Sequence, residues 1–98
     1  MIVMDRENTM AKGWSHVLST TNDLAELDRF RARIGAPPQA LHLGNHRWPH
    51  LDLKLEARDQ ALADPEVRVF ERTADMLRFL KAVRDRPQVS LRPEPGPP

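Results

Sequence analysis

The chain has 98 residues, with 15 Lys and Arg against 14 Asp and Glu, four His and no Cys. This length suits one domain with a modest core, and the lack of cysteine excludes disulfides, thiolate metal ligands and a cysteine nucleophile. A formal charge of +1 gives no bulk electrostatic indication of nucleic-acid binding. No apolar stretch reaches the roughly 20 residues of a membrane span, and the first residues lack a signal peptide's apolar segment. We therefore expect a cytoplasmic protein with no membrane partner.

The N-terminal residues predict a strand followed by a long loop. Ile2-Val3-Met4 is a short apolar run that meets Asp5, and runs without alternation are typical of a strand buried on both faces. Residues 6–20 contain the turn and cap residues of a loop, with a few apolar residues to hold that loop inward.

The next segment predicts a helix and a second strand. Apolar residues recur at helical spacing over residues 24–34, with Asn22 or Asp23 available as N-cap. Gly35 stands where a C-terminal left-handed residue belongs, and two prolines then prevent the helix from continuing. Residues 40–43 predict a short second strand.

The second half predicts a helix, a strand and a third helix. Asp52 is a suitable N-cap for a helix through about Ala63, which Asp64-Pro65 ends. Residues 67–70 predict a third strand, and Thr73 caps the third helix. The predicted apolar face of that helix consists of Met76, Leu77, Leu80 and Val83.

This alternation of strands and helices predicts a small α/β domain over residues 1–86, with three helices on a three-stranded parallel sheet. The sheet would contain residues 2–4, 40–43 and 67–70, in the order 2-1-3 or 3-2-1. The proline-rich residues 87–98 show no apolar periodicity, so we predict a disordered tail there.

The most informative cluster is residues 42–52, which hold three of the four histidines, a tryptophan and a carboxylate. Ligands of parallel α/β sheets bind at the carboxyl ends of the strands, so polar residues at those ends predict one shared pocket. His16 or His42 would serve as a base, Asp5 would orient it, and Arg58 or the N-terminus of the second helix would stabilise negative charge. The candidate catalytic residues are Asp5, Ser15, His16, His42, His50, Asp52 and Arg58.

Two other interpretations of these residues stay open. The same side chains could serve only as helix caps and hydrogen-bond partners. Alternatively, His42, His50 and Asp52 could bind zinc or a similar divalent metal ion, since imidazole and carboxylate suit such ions.

Several short motifs carry a resemblance to a known family. They are Val3-Met-Asp5, Gly13-Trp-Ser-His16, Asp23-Leu-Ala-Glu-Leu27, Phe30, Gly35, His42, Pro49-His-Leu-Asp52 and Arg58. Over residues 2 to about 71 the chain resembles the small bacterial and phage proteins of domain of unknown function 4031. Leu51 stands where that family usually has tyrosine, and Asp64-Pro65 where it has Gly-Ala. The resemblance implies a shared fold and polar cluster, and no named activity.

From these patterns we expect an uncharacterised domain whose His/Asp pocket binds a ligand or supports hydrolase-like or metal-assisted chemistry. The alternative is a non-catalytic protein-interaction module, a phage or host accessory protein that uses Trp14 and Trp48 as a contact surface. Its partner would be another protein or a second copy of the chain.

Overall fold

The computed structural model describes residues 1–44 and 48–85, which form a mixed β-sheet flanked by α-helices. The predicted tail, residues 87–98, lies outside the described residues. The strands are β1 (Ile2–Asp5), β2 (Trp14–Ser19), β3 (Leu41–His42), β4 (His50–Lys54) and β5 (Val67–Phe70). The helices are α1 (Leu24–Arg33), α2 (Leu55–Ala63) and α3 (Thr73–Arg84), and a 3-10 turn (Pro38–Ala40) precedes β3.

The sheet is mixed, with the strand order β3-β4-β2-β1-β5. Only β1 and β5 pair in parallel among the described strands, and the other neighbours are antiparallel. The α/β class is therefore confirmed, whereas the prediction of three parallel strands is wrong. Two strands that the sequence did not predict, β2 and β4, lie between the predicted first and second strands. Each neighbouring pair from β1 to β3 is antiparallel, so β3 runs in the opposite direction to β1.

Strand β2 replaces most of the predicted loop over residues 6–20. Its alternation is obscured because both of its faces are covered and because Ser15 and Ser19 occupy buried positions on one of them. In a sequence, polar residues at such positions indicate a loop. Here hydrogen bonds satisfy the buried hydroxyls of Ser15 and Ser19.

Strand β4 replaces the first turn of the predicted second helix. Leu51 and Leu53 are buried and alternate with less buried polar residues, which is the period of a strand with one covered face. Asp52 therefore lies within β4 and is not the N-cap. The helix begins at Leu55, after Lys54, and ends at the predicted position before Asp64.

Helix α1 agrees with the prediction. The Asp23 carboxylate accepts a hydrogen bond from the Glu26 backbone N–H at 3.1 Å, as an N-cap should. Gly35 has a φ of +77°, the left-handed conformation that follows many helices. Leu27 and Phe30 are the buried residues of this helix.

Helix α3 begins at Thr73. The prediction that Thr73 is its N-cap is wrong, because Arg72 holds that position without a side-chain cap and the Thr73 hydroxyl donates to Asp5 instead. The apolar face of the helix is also narrower than expected. Met76 and Leu80 are fully buried, whereas Leu77 is 37% exposed. The inclusion of Leu77 in the core face is therefore wrong, because the Leu77 side chain borders a surface pocket instead of packing fully against the sheet.

The helices cover the two faces of the sheet unequally. Helices α1 and α2 pack on one face, where Met4, Val17, Phe30, Leu51 and Leu53 form the main core. Helix α3 packs on β1 and β5 on the other face. The part of that second face formed by β2, β4 and β3 carries the polar cluster. None of the helices in the described segments is long and apolar enough to cross a membrane.

Candidate functional site

The register of the antiparallel strands brings the predicted polar residues together. His42 lies opposite His50, and His16 lies opposite Asp52. Opposed residues and residues two apart in a strand share one face, so these four side chains lie on the face that α3 partly covers. The predicted location of these residues was the carboxyl ends of parallel strands. That location is wrong, because β3 and β4 are antiparallel and the shared face, not a shared edge, joins the residues.

Asp5 lies at the end of β1 and is fully buried. Its Oδ1 accepts the His16 backbone N–H at 2.6 Å, and its Oδ2 lies 2.9 Å from His16 Nδ1. Oδ2 also accepts the Thr73 hydroxyl at 2.6 Å. Burial by itself would raise the pKa of Asp5, but the hydrogen bonds from His16 and Thr73 outweigh it and hold that pKa below its ordinary value. Asp5 is therefore a buried, ionised carboxylate.

His16 and Asp5 form a hydrogen-bonded pair, which we call the dyad. On the other side of the ring, Nε2 lies 3.1 Å from Asn8 Nδ2. The Asn8 amide is oriented by its own Oδ1, which accepts the Met10 backbone N–H at 2.8 Å. Asn8 therefore donates to Nε2, and neutral His16 holds its proton on Nδ1, towards Asp5.

The carboxylate of Asp5 controls the protonation of His16. The hydrogen bond to Asp5 raises the pKa of His16 against the opposing effect of burial, and the charges of Asp5 and Asp52 add to the increase. The His16 side chain is 25% exposed, so its ring is accessible while its partner is not.

His42, His50 and Asp52 form a second cluster beside the dyad. His42 Nε2 lies 3.2 Å from Asp52 Oδ2, and His50 Nε2 lies 3.5 Å from Asp52 Oδ1. The rings of His42 and His50 stack at 5.2 Å, and His50 meets His16 edge to face at 5.5 Å. His50 Nδ1 lies 2.8 Å from the Trp48 carbonyl oxygen, to which it donates. The three imidazoles thus form a continuous row.

A groove of about 860 Å³ lies between α3 and two members of this row, and we call it the α3 groove. His16 and His50 line one side of it, and successive turns of α3 line the other. The remaining lining residues are Leu18, Trp48, Thr73, Ala74, Met76, Leu77, Arg78 and Lys81.

Ser15 and Arg58 lie away from the α3 groove. Neighbouring residues in a strand point to opposite faces, so Ser15 points away from His16. The buried Ser15 hydroxyl donates to the Arg6 carbonyl oxygen at 2.8 Å and accepts Arg58 Nε at 2.9 Å. Arg58 also donates to the Arg6 carbonyl oxygen. These contacts tie α2 to the end of β1, and neither side chain faces the dyad.

The geometry gives the predicted metal site no support. Within residues 1–44 and 48–85, no three His, Asp or Glu side chains are grouped so that they could hold a metal ion. The His42 and His50 nitrogens are directed at the two oxygens of Asp52, so the three side chains contact one another. His46 lies outside the described residues.

The two tryptophans line different pockets. Trp14 begins β2, where Lys54 Nζ lies 4.9 Å from its ring, and lines a smaller pocket of about 520 Å³. Trp48 lines the α3 groove, with the Arg84 guanidinium 4.7 Å from its ring. Each tryptophan therefore belongs to a separate pocket, and the interaction-module alternative stays a prediction.

Sequence reasoning missed three groups that complete this site. Asn8 was counted among the turn and cap residues of the predicted loop over residues 6–20, and Arg78 and Lys81 were not considered. The helical spacing from Ala74 to Lys81 could have indicated a second wall on α3. Nothing in a single sequence shows that Asn8 reaches His16 across a loop.

No family model, no curated protein and no solved structure matches this chain. The resemblance to domain of unknown function 4031 therefore stays a prediction, and the function has to be argued from the geometry of the dyad and the groove.

Proposed function

We propose that this domain is an enzyme that carries out general acid–base chemistry, of the hydrolytic type, on a small ligand in the α3 groove. His16 is the base, and Asp5 is the positioning residue that holds its tautomer and stabilises its protonated form. The observation that carries the proposal is the dyad: a fully buried carboxylate is bonded to an imidazole whose ring opens into the groove.

The arrangement of the dyad suits proton transfer. A carboxylate that accepts Nδ1–H places the basic lone pair on Nε2 and stabilises the imidazolium after a proton is taken. In hydrolysis, Nε2 would take a proton from water as its oxygen attacks the ester carbonyl or phosphorus. The imidazolium would then return that proton to the leaving group.

Asn8 defines what must change when the base acts. Its amide N–H occupies the Nε2 lone pair in this structure, so water or a ligand hydroxyl has to replace Asn8 there. The His16 side chain is partly exposed, and Asn8 lies in the loop between β1 and β2 rather than in either strand. Rotation of the Asn8 side chain away from the Met10 N–H would free Nε2 while the backbone hydrogen bonds of Asn8 stay in place.

Replacing His16 tests the proposal directly. Hydrolysis of p-nitrophenyl acetate, p-nitrophenyl phosphate and bis(p-nitrophenyl) phosphate is measured for the unmodified protein and for His16→Gln and His42→Gln. We expect release of p-nitrophenolate from at least one substrate, and a loss of about 100-fold or more in His16→Gln. His42→Gln removes a more exposed imidazole and should retain the activity within about twofold.

The His42→Gln control distinguishes catalysis by His16 from the unspecific reactivity of exposed imidazoles. If His42→Gln loses as much activity as His16→Gln, the activity belongs to surface imidazoles and the proposal is wrong. Absence of hydrolysis above the buffer rate for all three substrates also contradicts it. Circular dichroism of each variant confirms that the comparison is between folded proteins.

Asn8→Asp provides an independent test that keeps the shape of the side chain. The new carboxylate retains an oxygen for the Met10 N–H and places a negative charge beside Nε2. Two carboxylates would then flank the ring, so we expect the pKa of His16 to rise further and activity near neutral pH to fall as the imidazolium accumulates. NMR titration of the His16 ring measures this, and an unchanged pKa would show that Asn8 does not contact His16 in solution.

A further inference from the structure

We propose that the α3 groove binds a small amphipathic anion, an apolar or aromatic body that carries one phosphate, sulfate or carboxylate group. The two features that point to this ligand lie side by side on α3: an exposed leucine and two cationic side chains, all facing the imidazole row. The proposal deepens the proposed function by naming the substrate class of the same groove, and its biological role rests on that function.

One face of α3 forms the wall of the groove. Ala74, Leu77, Arg78 and Lys81 follow the spacing i, i+3, i+4 and i+7, which places them on one side of a helix. The core-facing residues of α3 lie on a different side of the helix. The wall is therefore both apolar and cationic along a single stripe.

The charges around the α3 groove favour an anion. Its described lining contains two cations and two imidazoles. The carboxylates that contact these imidazoles, Asp5 and Asp52, lie outside the lining. Arg78 Nη1 lies 3.0 Å from Asp75 Oδ1, so part of its charge is neutralised. Lys81 has no carboxylate within ion-pair distance anywhere in residues 1–44 and 48–85. Lys81 is therefore the main candidate to contact the anionic group.

The apolar surface indicates that the ligand is more than a simple ion. Leu18 and Met76 form the floor of the groove, and Leu77 and Trp48 extend the apolar surface at its sides. A volume of about 860 Å³ lies within the range of small-molecule pockets and far exceeds the volume of one phosphate. Leu77 is 37% exposed, and covering it with a ligand body would remove apolar surface from water.

Binding of a non-reactive probe tests this ligand class without any chemistry. Naphthalenesulfonate is titrated into the full chain and followed by amide NMR, with naphthalenesulfonamide as the neutral isostere and naphthylmethylammonium as the cation. We expect the sulfonate to bind at least about fivefold more tightly than either. Its affinity should fall as the salt concentration rises, because salt screens exposed charges. The shifted amides should be those of the groove wall.

Two pairs of variants locate the charge that is recognised. Lys81→Gln is expected to weaken sulfonate binding by about two- to fivefold, and Arg78→Gln by a smaller factor because Asp75 competes for it. Lys12→Gln and Arg29→Gln make the same changes in net charge at exposed positions outside the groove lining and should leave the affinity unchanged. His16→Gln should lower hydrolysis by about 100-fold or more while weakening sulfonate binding by no more than Lys81→Gln does, because His16 lines the groove without being its main cation. A failure of the hydrolysis proposal can therefore be told apart from a failure of the ligand class.

Several results would overturn the ligand class. These are equal affinity for the sulfonate and the sulfonamide, tighter binding of the cation, or equal weakening by Lys12→Gln and Lys81→Gln. Inorganic phosphate that binds as tightly as the sulfonate would show that the apolar wall plays no part. Shifts of α3 amides with protein concentration alone would show that a second copy occupies the groove. Absence of binding by any probe would exclude a small ligand.

Discussion

Replacing Asp5 with Ala is expected to lower the free energy of unfolding by about 3–5 kcal/mol, the range seen when one partner of a buried charged pair is removed. The change leaves the His16 backbone N–H, His16 Nδ1–H and the Thr73 hydroxyl without their acceptor in a site from which water is excluded. Because these groups belong to β2 and α3, the loss would loosen the contact between β1, β2 and α3.

Urea denaturation measures this effect, and Asp59→Ala serves as the control. Asp59 is an exposed carboxylate on α2, and its replacement should change the free energy by less than about 0.5 kcal/mol. Asp5→Asn keeps the volume of the side chain but replaces a carboxylate oxygen with an NH₂ group. At the position of Oδ2, that group would face the His16 and Thr73 donors, so the substitution should also destabilise the protein. Equal stability of Asp5→Ala and Asp59→Ala would show that the Asp5 carboxylate is not buried in the way the structure describes.

The pH dependence of the same variants has a defined sign. The pKa of Asp5 is lowered on folding, so its contribution is present above about pH 4 and is lost as the pH falls through the folded pKa. The pKa of His16 is raised, so its contribution is complete below about pH 6.5 and is lost as the pH rises through the folded pKa. The difference in Tm between the unmodified protein and Asp5→Asn should therefore be largest between about pH 4 and 6.5.

The elements that the sequence predicted correctly are those with a local physical signature. Helix α1 has a capping carboxylate at Asp23, apolar residues at helical spacing and a left-handed Gly35, and each signal depends only on nearby residues. Strand β5 was predicted for the same reason. Local patterns decide such elements because all the required contacts or dihedral angles lie within a few residues.

The elements that the sequence missed depend on distant partners. The alternation from His50 to Lys54 fits a strand. The apolar residues at helical spacing in the Ala-rich segment that follows led us to begin the predicted helix too early, at Asp52. Strand β2 is covered on both faces and places Ser15 against the core, which no local rule predicts. Without these two strands, a parallel sheet was the default expectation for alternating strands and helices.

The candidate site was partly predicted, although for a different structural reason. Asp5, His16, His42, His50 and Asp52 do share one face, because antiparallel register places them side by side. Strand alternation then turns Ser15 away from that face, and α2 carries Arg58 to the Arg6 carbonyl. Asn8 and Lys81 join the site only through a loop and a neighbouring helix, so the three-dimensional structure was required to find them.

Two leucines of α3 provide the sharpest test of where the core ends and the groove begins. Leu80 is fully buried and Leu77 is 37% exposed, although they are the same residue type one turn apart. Leu80→Ala should lower the free energy of unfolding by about 2–5 kcal/mol, because it opens a cavity against Val3 and Leu18. Leu77→Ala should cost less than about 1 kcal/mol, because it shortens a side chain that water already reaches.

The same pair separates stability from binding. Leu77→Ala should weaken naphthalenesulfonate binding while the protein remains folded at ordinary temperatures, because the removed methyl groups belong to the groove wall. Denaturation curves and NMR titrations of both variants measure the two effects. Equal destabilisation by the two substitutions would show that Leu77 belongs to the core and that the α3 groove is not open. Both proposals for this face of the sheet would then lose their basis.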